Sequence, residues 1–431
     1  MEDERTGRDR KIIILAVVLS LLLVGSCFAI PYLLSTDGSS SDGERSTVES
    51  LREDGVASEL EQTLLDSDAY VEAQEIVEDN YVEEVDGEEL LSAGARGIRR
   101  LSDEGADEEA LVERGITAMI DFLDDPFSGY MDEEELAMLD TQLSGSFFGI
   151  GAAMEMVKNE VRVQSVLEGT PAEGAGLLEG DIVKEVDGED VSGMSLTEVV
   201  GLIRGEEGTT VRIGVVRPPS SDLKGFDIVR GRIEIPVIET ELKEGGVGYL
   251  LLTDWTEGVD EKLAAALADL SAQGAESLVV DLRLNGGGYM EPAISAADMF
   301  LRDGMIVSSQ GRVLGTTKEY TADADVLWDL PVVILVNRGT ASASEIFSAA
   351  LRENGRAILV GETTFGKGVI QKIFRNDDGS GVRLTIARYY TPDGTSIDDE
   401  GLAPDIFVKN PVVGEEDLQL QAAAEAASSG L

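Results

Sequence analysis

The spacing of apolar residues changes character along this chain. In residues 48–139 the apolar positions recur every three or four residues, as at Leu60 and Leu64, which predicts a segment of about four helices. Between residues 146 and 217, short alternating runs are broken by turn residues and by two helical patterns, which is typical of a small β domain. From residue 218 onward, buried-type strands alternate with helical patterns. This alternation predicts a βαβ core.

An uninterrupted apolar stretch precedes these segments. Residues 12–34 contain no charged side chain and follow the basic pair Arg10 and Lys11. This length spans a bilayer, and the flanking charges predict a single-pass anchor in the cell membrane, with everything downstream extracytoplasmic. The sequence around Cys27 loosely matches a lipobox, so a lipoprotein signal stays open as an alternative. The polar residues 35–47 then form a linker.

A strand, a tight turn and a helix meet at Ser342. The apolar run Val332 to Val336 ends in a turn-forming Asn-Arg-Gly sequence, and a helical pattern begins at Ser342. Ser342 and Glu345 also form a capping box, so a helix cap explains this serine without any chemistry. The next apolar run, Ala357 to Val360, leads into a loop that carries a lysine between two glycines, Lys367.

Composition decides what chemistry Ser342 could perform. The chain has no histidine and one cysteine, which excludes a Ser-His-Asp triad, a Cys-His pair and a histidine-ligated zinc; we expect no metal and no cofactor. A nucleophilic Ser342 would therefore need a lysine as its base. Such a lysine must have its pKa, ordinarily about 10.4, lowered by burial. Gln371 could hold the Lys367 amine by a hydrogen bond without adding charge.

Two other functions, nucleotide binding and nucleic-acid binding, fit the sequence less well. The sequence from Gly361 to Lys367 resembles a phosphate-binding P-loop, but Gly368 replaces the Ser/Thr that holds magnesium, and the following residues alternate like a strand. The 84 acidic against 34 basic residues give a net charge of −50. That charge argues against nucleic acid as a partner.

The run GTASASEI…GETTFGKGVIQ resembles the signature of the C-terminal processing, or tail-specific, serine proteases. The resemblance implies that Ser342 is the nucleophile, Lys367 the general base and Gln371 its partner. Glu353 stands where some members have an auxiliary aspartate, and its role is open.

The helical region resembles the N-terminal region of the same family. The family pattern LDPHSxY reads DDPFSGY here, with Phe127 in place of the histidine. The resemblance implies that this region serves assembly and cradles the core outside the catalytic centre. A homo-oligomer is therefore one expectation.

The phrases GIGA, GTPAEGAGLLEGDIVKEVDGEDV and SLTEVVGLIRG resemble a PDZ domain. Such a domain binds the C-terminal tail of a protein or peptide as an added strand. The residues predicted to bind the peptide are Phe148, Gly149, Ile150, Gly151, Leu196, Val199, Val200 and Ile203. The alternative is that the apolar members fill the core, which for Ile203 fits equally well.

The core resembles the crotonase/ClpP-like fold of the protease family, down to the phrase DLRLNGGG that begins at Asp281. Glycines after a buried strand let backbone amides approach a ligand. By resemblance, the Gly287 and Ala343 amides form the oxyanion hole. A glycine-rich turn without a ligand is the alternative.

Together these features predict a multi-domain α/β protein: a membrane helix, a helical segment, a PDZ domain (a small β-barrel with two helices) and a βαβ catalytic core. The predicted divisions are residues 1–11 (cytoplasmic stub), 12–34 (transmembrane anchor), 35–47 (linker), 48–145 (helical region), 146–217 (PDZ domain), 218–413 (catalytic core) and 414–431 (acidic tail). The predicted function is a membrane-anchored serine endopeptidase that captures substrates by their C-terminal tails. The alternative is a catalytically silent PDZ-bearing interaction protein.

Overall fold

A computed structural model describes residues 58–323, 326–410 and 416–430. The predicted membrane anchor, Cys27 and the linker lie outside the described residues. Within the described ranges, no helix is both long and apolar enough to cross a membrane. The chain divides into two compact units, one formed by Ser144–Pro236 and the other by the described residues on either side of it.

The first part of the larger unit is helical, as predicted. Its elements are α1 (Glu59–Leu65), α2 (Asp68–Asn80), α3 (Gly87–Asp103), α4 (Glu108–Asp121), β1 (Gly129–Met131) and α5 (Glu133–Ser144). Polar side chains set the starts of the first helices: Ser67 accepts a hydrogen bond from a first-turn amide of α2, and Asp86 does so in α3. The apolar faces of α1 to α4 share one buried core.

The smaller unit is a β domain with two short helices. Its elements are β2 (Ser146–Gly149), β3 (Ala152–Val157), β4 (Glu160–Val166), α6 (Pro171–Ala175), β5 (Ile182–Val186), β6 (Glu189–Asp190), α7 (Leu196–Ile203), β7 (Thr210–Val216), β8 (Leu223–Val229) and β9 (Gly231–Glu234). The main sheet has the order β3-β4-β5-β7-β8, with β6 pairing to β5, while β2 pairs with β9. Strand β3 is therefore an edge strand.

The core of the larger unit alternates strands and helices. Its elements are β10 (Ile238–Lys243), β11 (Val247–Leu252), α8 (Val259–Ala272), β12 (Ser277–Asp281), α9 (Met290–Asp298), β13 (Met305–Gln310), β14 (Lys318–Thr321), β15 (Val332–Val336), α10 (Ala343–Glu353), β16 (Ala357–Gly361), β17 (Val369–Arg375), β18 (Gly381–Tyr390), β19 (Ile406–Phe407) and α11 (Leu418–Ser429).

Two sheets organise this core. One has the order β10-β11-β12-β15-β16-β19, in which all neighbours after β11 are parallel. Every residue of β12 and β15 is buried, as expected for central strands covered on both faces. The second sheet joins β1, β18, β13 and β14, with β17 also paired to β18. Val382 and Leu384 of β18 pack into the helical core, so the helical segment and the catalytic core form one body.

The boundaries differ from the predicted ones at two places. Strand β8 pairs along its full length with β7, so the smaller unit extends past the predicted limit at residue 217 to Pro236. At the C-terminus, the acidic, Ala-rich tail predicted to be helical contains helix α11, and its Ala423 and Ala427 are buried against the parallel sheet. Small side chains allow this close packing, and charge counts alone do not reveal it.

Candidate active site

Ser342 occupies a strained position at the start of α10. Its backbone has φ 57° and ψ −116°, whereas an ordinary N-cap residue lies in the extended region. A non-glycine residue held at positive φ costs on the order of 1–3 kcal/mol and is concentrated at functional sites. The side chain is fully buried, and Ser342 Oγ has no hydrogen-bond partner among the described residues. The hydroxyl is therefore not used as a helix cap.

Lys367 is fully buried, although glycines flank it. The chain at Asp398 to Gly401 supplies the cover. A Cβ on Gly366 would lie 2.7 Å from the Gly401 nitrogen, and one on Gly368 would lie 2.9 Å from Asp398 Cβ. The two glycines thus allow another segment to close over the lysine loop, and this burial favours the neutral form of an amine.

A single carboxylate joins the two segments. Glu345 Oε2 accepts hydrogen bonds from the Ser342 N–H at 2.7 Å and the Lys367 N–H at 3.0 Å. Glu345 Oε1 accepts from the Gly366 N–H at 2.8 Å and from the Thr364 hydroxyl. Burial raises the pKa of Glu345, and these hydrogen bonds act in the opposite direction. The predicted capping box is thus half formed, and its glutamate has a second role that the sequence pattern did not reveal.

Tyr389 makes a second connection between the same segments. Its hydroxyl lies within hydrogen-bonding distance of the carbonyl oxygens of Ser342 and Lys367. The side chain is buried, and burial raises its pKa well above the ordinary value, with further contributions from the charges of Glu345 and Asp398. Tyr389 therefore remains a neutral hydrogen-bond donor.

Two predicted hydrogen bonds to the Ser342 and Lys367 side chains are not formed in this structure. Ser342 Oγ and Gln371 Oε1 both lack a partner in the described part of the chain, so the Lys367 amine donates to neither. Gln371 is buried on β17, and its Nε2 donates to Thr385 Oγ1 at 3.3 Å. Catalytic hydrogen bonds are often long before substrate binds, and the roles of these residues stay predictions.

Phe127 corrects the expectation that the helical region lies outside the catalytic centre. The centre of its ring lies 4.8 Å from Lys367 Nζ. The turn that carries Phe127 is placed by β1, which pairs with β18. The DDPFSGY motif is visible in the sequence, but nothing in the sequence indicates that this turn reaches the lysine, because the contact depends on tertiary packing.

The predicted oxyanion donors lie beside the serine. A Cβ on Gly287 would be 2.9 Å from Ser342 Cβ and 3.3 Å from the Ala343 nitrogen, so only glycine allows this approach. The Gly287 N–H donates to Asn285 Oδ1 at 3.0 Å. That bond would have to be shared or broken for Gly287 to stabilise an oxyanion. The Ala343 N–H donates to no acceptor in the described ranges.

An ion-pair network fixes the beginning of the glycine loop. Arg283 binds Asp281 through Nε and Nη2 at 2.9 and 2.6 Å, and it binds Asp417 with two further bonds of 2.9 Å. Asp417 immediately precedes α11, so this ion pair connects the C-terminal helix to the start of the glycine loop. Glu353, by contrast, ends α10 and accepts a hydrogen bond from the Asp393 N–H at 2.8 Å. This contact gives Glu353 a structural explanation.

Asp254 is a titratable residue in the connection between β11 and α8. Burial raises its pKa to about 6, and hydrogen bonds with the Thr253 and Gln142 side chains act in the opposite direction. The following residue, Trp255, donates its backbone N–H to the Gly287 carbonyl, and its own carbonyl accepts from the Tyr289 N–H. Asp254 was not singled out by the sequence because its neighbour Gln142 comes from the helical segment.

The smaller unit has an open strand edge next to a helix. Residues Phe148 to Gly151 lead directly into edge strand β3, and Phe148 is 45% exposed. Gly151 has φ 80°, and a Cβ there would lie 2.3 Å from the Thr170 side chain. On α7, Leu196 and Val200 are half-buried. Ile150, Val199 and Ile203 belong to the core of the unit, which agrees with the core-filling alternative for Ile203.

Comparisons with known proteins cover most of the described chain. Residues 246–408 match the model of peptidase family S41, and residues 162–217 match a PDZ domain model. The carboxy-terminal processing protease CtpA of Bacillus subtilis is 38% identical over 305 residues, which are 71% of this chain and 65% of the relative. The carboxy-terminal-processing protease of Bartonella bacilliformis is 39% identical over 316 residues, 71% of either chain.

A solved structure gives the same result. The photosystem II D1 C-terminal processing protease superimposes with a TM-score of 0.50 at 30% identity, covering 86% of this chain and 98% of that one. This similarity extends over both compact units and confirms the predicted multi-domain α/β architecture with PDZ and peptidase domains.

Proposed function

The chain belongs to peptidase family S41, a family of serine proteases, and we propose that it hydrolyses protein substrates through Ser342 and Lys367. One observation carries the proposal: Ser342 is buried at positive φ with no hydrogen-bond partner for its hydroxyl among the described residues, and its backbone N–H shares the Glu345 carboxylate with the backbone N–H of Lys367. The proposal needs no histidine, which the chain lacks.

In the proposed mechanism, the neutral Lys367 amine takes the proton of the Ser342 hydroxyl while Oγ attacks the peptide carbonyl carbon. The amides of Gly287 and Ala343 stabilise the oxyanion once the Asn285 contact is shared or released. The Lys367 ammonium then protonates the departing amine. Finally, Lys367 activates a water molecule that hydrolyses the acyl-enzyme, and Ser342 regains its proton.

Gln371 is proposed to orient the amine. Its Oε1 is buried without a hydrogen-bond partner among the described residues, and a buried acceptor in this state costs about 1–3 kcal/mol. A rearrangement that lets the Lys367 amine donate to this oxygen would remove the cost. The bond would hold the amine while leaving it able to accept the serine proton.

The PDZ domain is proposed to capture the C-terminal tail of the substrate. An extended tail can pair with edge strand β3, and its terminal carboxylate can accept hydrogen bonds from the backbone N–H groups of the Phe148 to Gly151 loop. The apolar side chains of the tail can contact Leu196 and Val200. The family of relatives named for carboxy-terminal processing supports this assignment.

We further propose that residues 12–34 anchor the protein in the cell membrane with both units on the outer side. The support is the uncharged sequence and the basic pair before it. Membrane fractions washed with carbonate should retain the full chain and lose a form without residues 12–34. A Cys27→Ala variant that is released would instead support lipid attachment at that residue.

The catalytic proposal is tested by incubating the full chain with an unfolded protein. We expect cleavage by the wild type and none by Ser342→Ala or Lys367→Ala. Matched controls are Ser348→Ala, on the same helix, and Lys372→Ala, on the neighbouring strand; both should remain active. Cleavage that survives in Ser342→Ala and Lys367→Ala would refute this active site.

A further inference from the structure

Phe127 and Lys367 meet although they are far apart in the sequence. The distance of 4.8 Å between the ring centre and Lys367 Nζ lies within the range of about 6 Å in which an aromatic face attracts a cation. Phe127 is half-buried, while Lys367 is fully buried. The ring therefore forms part of the surface that the amine faces.

The turn that carries Phe127 is held from inside. The Asp125 carboxylate accepts hydrogen bonds from the Phe127 N–H at 2.9 Å and from the Ser128 hydroxyl at 2.6 Å. A side chain that binds its own turn in this way limits the conformations of the backbone. The backbone from which the Phe127 side chain projects is therefore held locally.

Strand β18 holds the same turn from outside. The Phe127 carbonyl accepts from Arg383 Nε at 2.8 Å, and Ser128 Oγ accepts from the Thr385 N–H at 3.0 Å. Thr385 Oγ1 also accepts a hydrogen bond from Gln371 Nε2. The Phe127 turn is thus fixed to the strand that borders Gln371, and the ring has a defined position over Lys367.

A cation is attracted to an aromatic face, and a neutral amine is attracted far less. In the proposed mechanism, Lys367 changes from neutral amine to ammonium as Ser342 attacks. An interaction that strengthens as charge develops lowers the barrier, since it stabilises the transition state more than the resting state. The ring is placed where it would act in this way.

We propose that Phe127, supplied by the helical segment, is a positioning residue that holds Lys367 and stabilises the ammonium formed during acylation. This inference rests on the proposed function, since it assigns Lys367 as the base. It makes the helical segment a contributor to the reaction and explains why an aromatic residue suits this position in a chain without histidine.

The test compares three forms of the full chain that differ only in the ring. Phe127→Leu keeps apolar volume and removes the aromatic face, and we expect kcat to fall about 3- to 30-fold with KM changed less than about twofold. Phe127→Tyr keeps the face and should retain wild-type kcat. Replacing Phe127 with trifluorophenylalanine nearly preserves the size of the side chain but weakens the partial negative charge on the ring face. We expect this form to have a lower kcat and an unchanged Tm.

The control is Phe122→Leu, an exposed phenylalanine in the same segment, which should leave kcat and KM unchanged. Wild-type kcat in both Phe127→Leu and the fluorinated form would overturn the inference, as would equal losses in Phe127→Tyr and Phe127→Leu. In either case, loss of cleavage in Ser342→Ala and Lys367→Ala would leave the proposed function standing. Should Phe127→Leu fail to fold, the fluorinated form decides.

Discussion

Ser342 and Lys367 are linked through their backbone N–H groups, which both donate to Glu345 Oε2, at 2.7 and 3.0 Å. The serine begins a helix and the lysine lies in a loop after the next strand, so this shared acceptor fixes the spacing between them. A carboxylate with two donors on each oxygen has no room for a proton or for an amide NH₂ group.

Replacing Glu345 with Gln should therefore separate the two segments. The amide NH₂ would face N–H donors, and a misplacement of about 1 Å can cost about 100-fold in rate. We expect kcat to fall by about that factor while peptide binding by the PDZ domain is unchanged. Steady-state kinetics on one substrate measures this. Glu353→Gln on the same helix is the control, and wild-type kcat in Glu345→Gln would contradict the linking role.

Removing the Tyr389 hydroxyl should weaken both stability and activity. Tyr389→Phe leaves two buried carbonyl oxygens with one donor fewer, which costs about 1–3 kcal/mol, or about 2–4 °C in Tm for each kcal/mol in a domain of this size. Calorimetry of the variant against Tyr390→Phe isolates the effect. An unchanged Tm would show that this hydroxyl does not hold the segments.

Asp254 predicts a pH-dependent stability. The pKa of Asp254 is raised from 3.8 to about 6 in the folded protein, so the folded state binds this proton more tightly than the unfolded state does. Its contribution to stability is fully present below the unfolded pKa and is lost as the pH rises through about 6. Asp254→Asn imitates the protonated form. We expect its Tm to equal that of the wild type near pH 4 and to exceed it at pH 7, by a free energy on the order of 1–3 kcal/mol.

The measurement is the difference in Tm between variant and wild type across that pH range. Taking the difference cancels the other titrating groups. The exposed Asp303→Asn serves as control and should show no such trend. A difference that is constant with pH would contradict the raised pKa of Asp254.

Much of this arrangement follows from local sequence. Strand β15 consists wholly of buried apolar residues and β12 has an apolar centre, Leu278 to Val280, so their place in the central sheet could be predicted, and the turn after β15 identified Ser342. The PDZ and peptidase resemblances rested on contiguous phrases, and the family matches confirm them. Predictions of this kind succeed because both the hydrophobic pattern and the turn residues act over short distances.

The contacts around the lysine could not be predicted in the same way. The second role of Glu345, the Asp398 to Gly401 cover and the Phe127 ring all come from segments that meet only after folding. Two glycines flank Lys367 in the sequence, but no neighbouring residue identifies the segment that packs against them. The packing of α11 on the parallel sheet could not be predicted for a similar reason, since alanines on several faces of a helix do not indicate which face is buried.

Tail recognition should depend on the α7 face. Val200→Asp places a charge where an apolar tail side chain would pack, and we expect peptide affinity to fall about tenfold or more. Thr197→Asp adds the same charge at an exposed position of that helix and should have little effect. Isothermal titration with one peptide, free or amidated at its C-terminus, tests both points. Equal affinity for the two peptide forms would exclude carboxylate recognition.

The pairing of Ser342 with Lys367 is tested most directly by the rate at which a serine-directed fluorophosphonate labels the full chain, with mass spectrometry to identify the modified peptide. If Lys367 is the base for Ser342, we expect one label, on Ser342, which is absent in Ser342→Ala and forms at least about 100-fold more slowly in Lys367→Ala, since general-base assistance is worth about 100- to 10,000-fold. Labelling of Lys367→Ala at the wild-type rate, or labelling at another residue, would contradict this pairing.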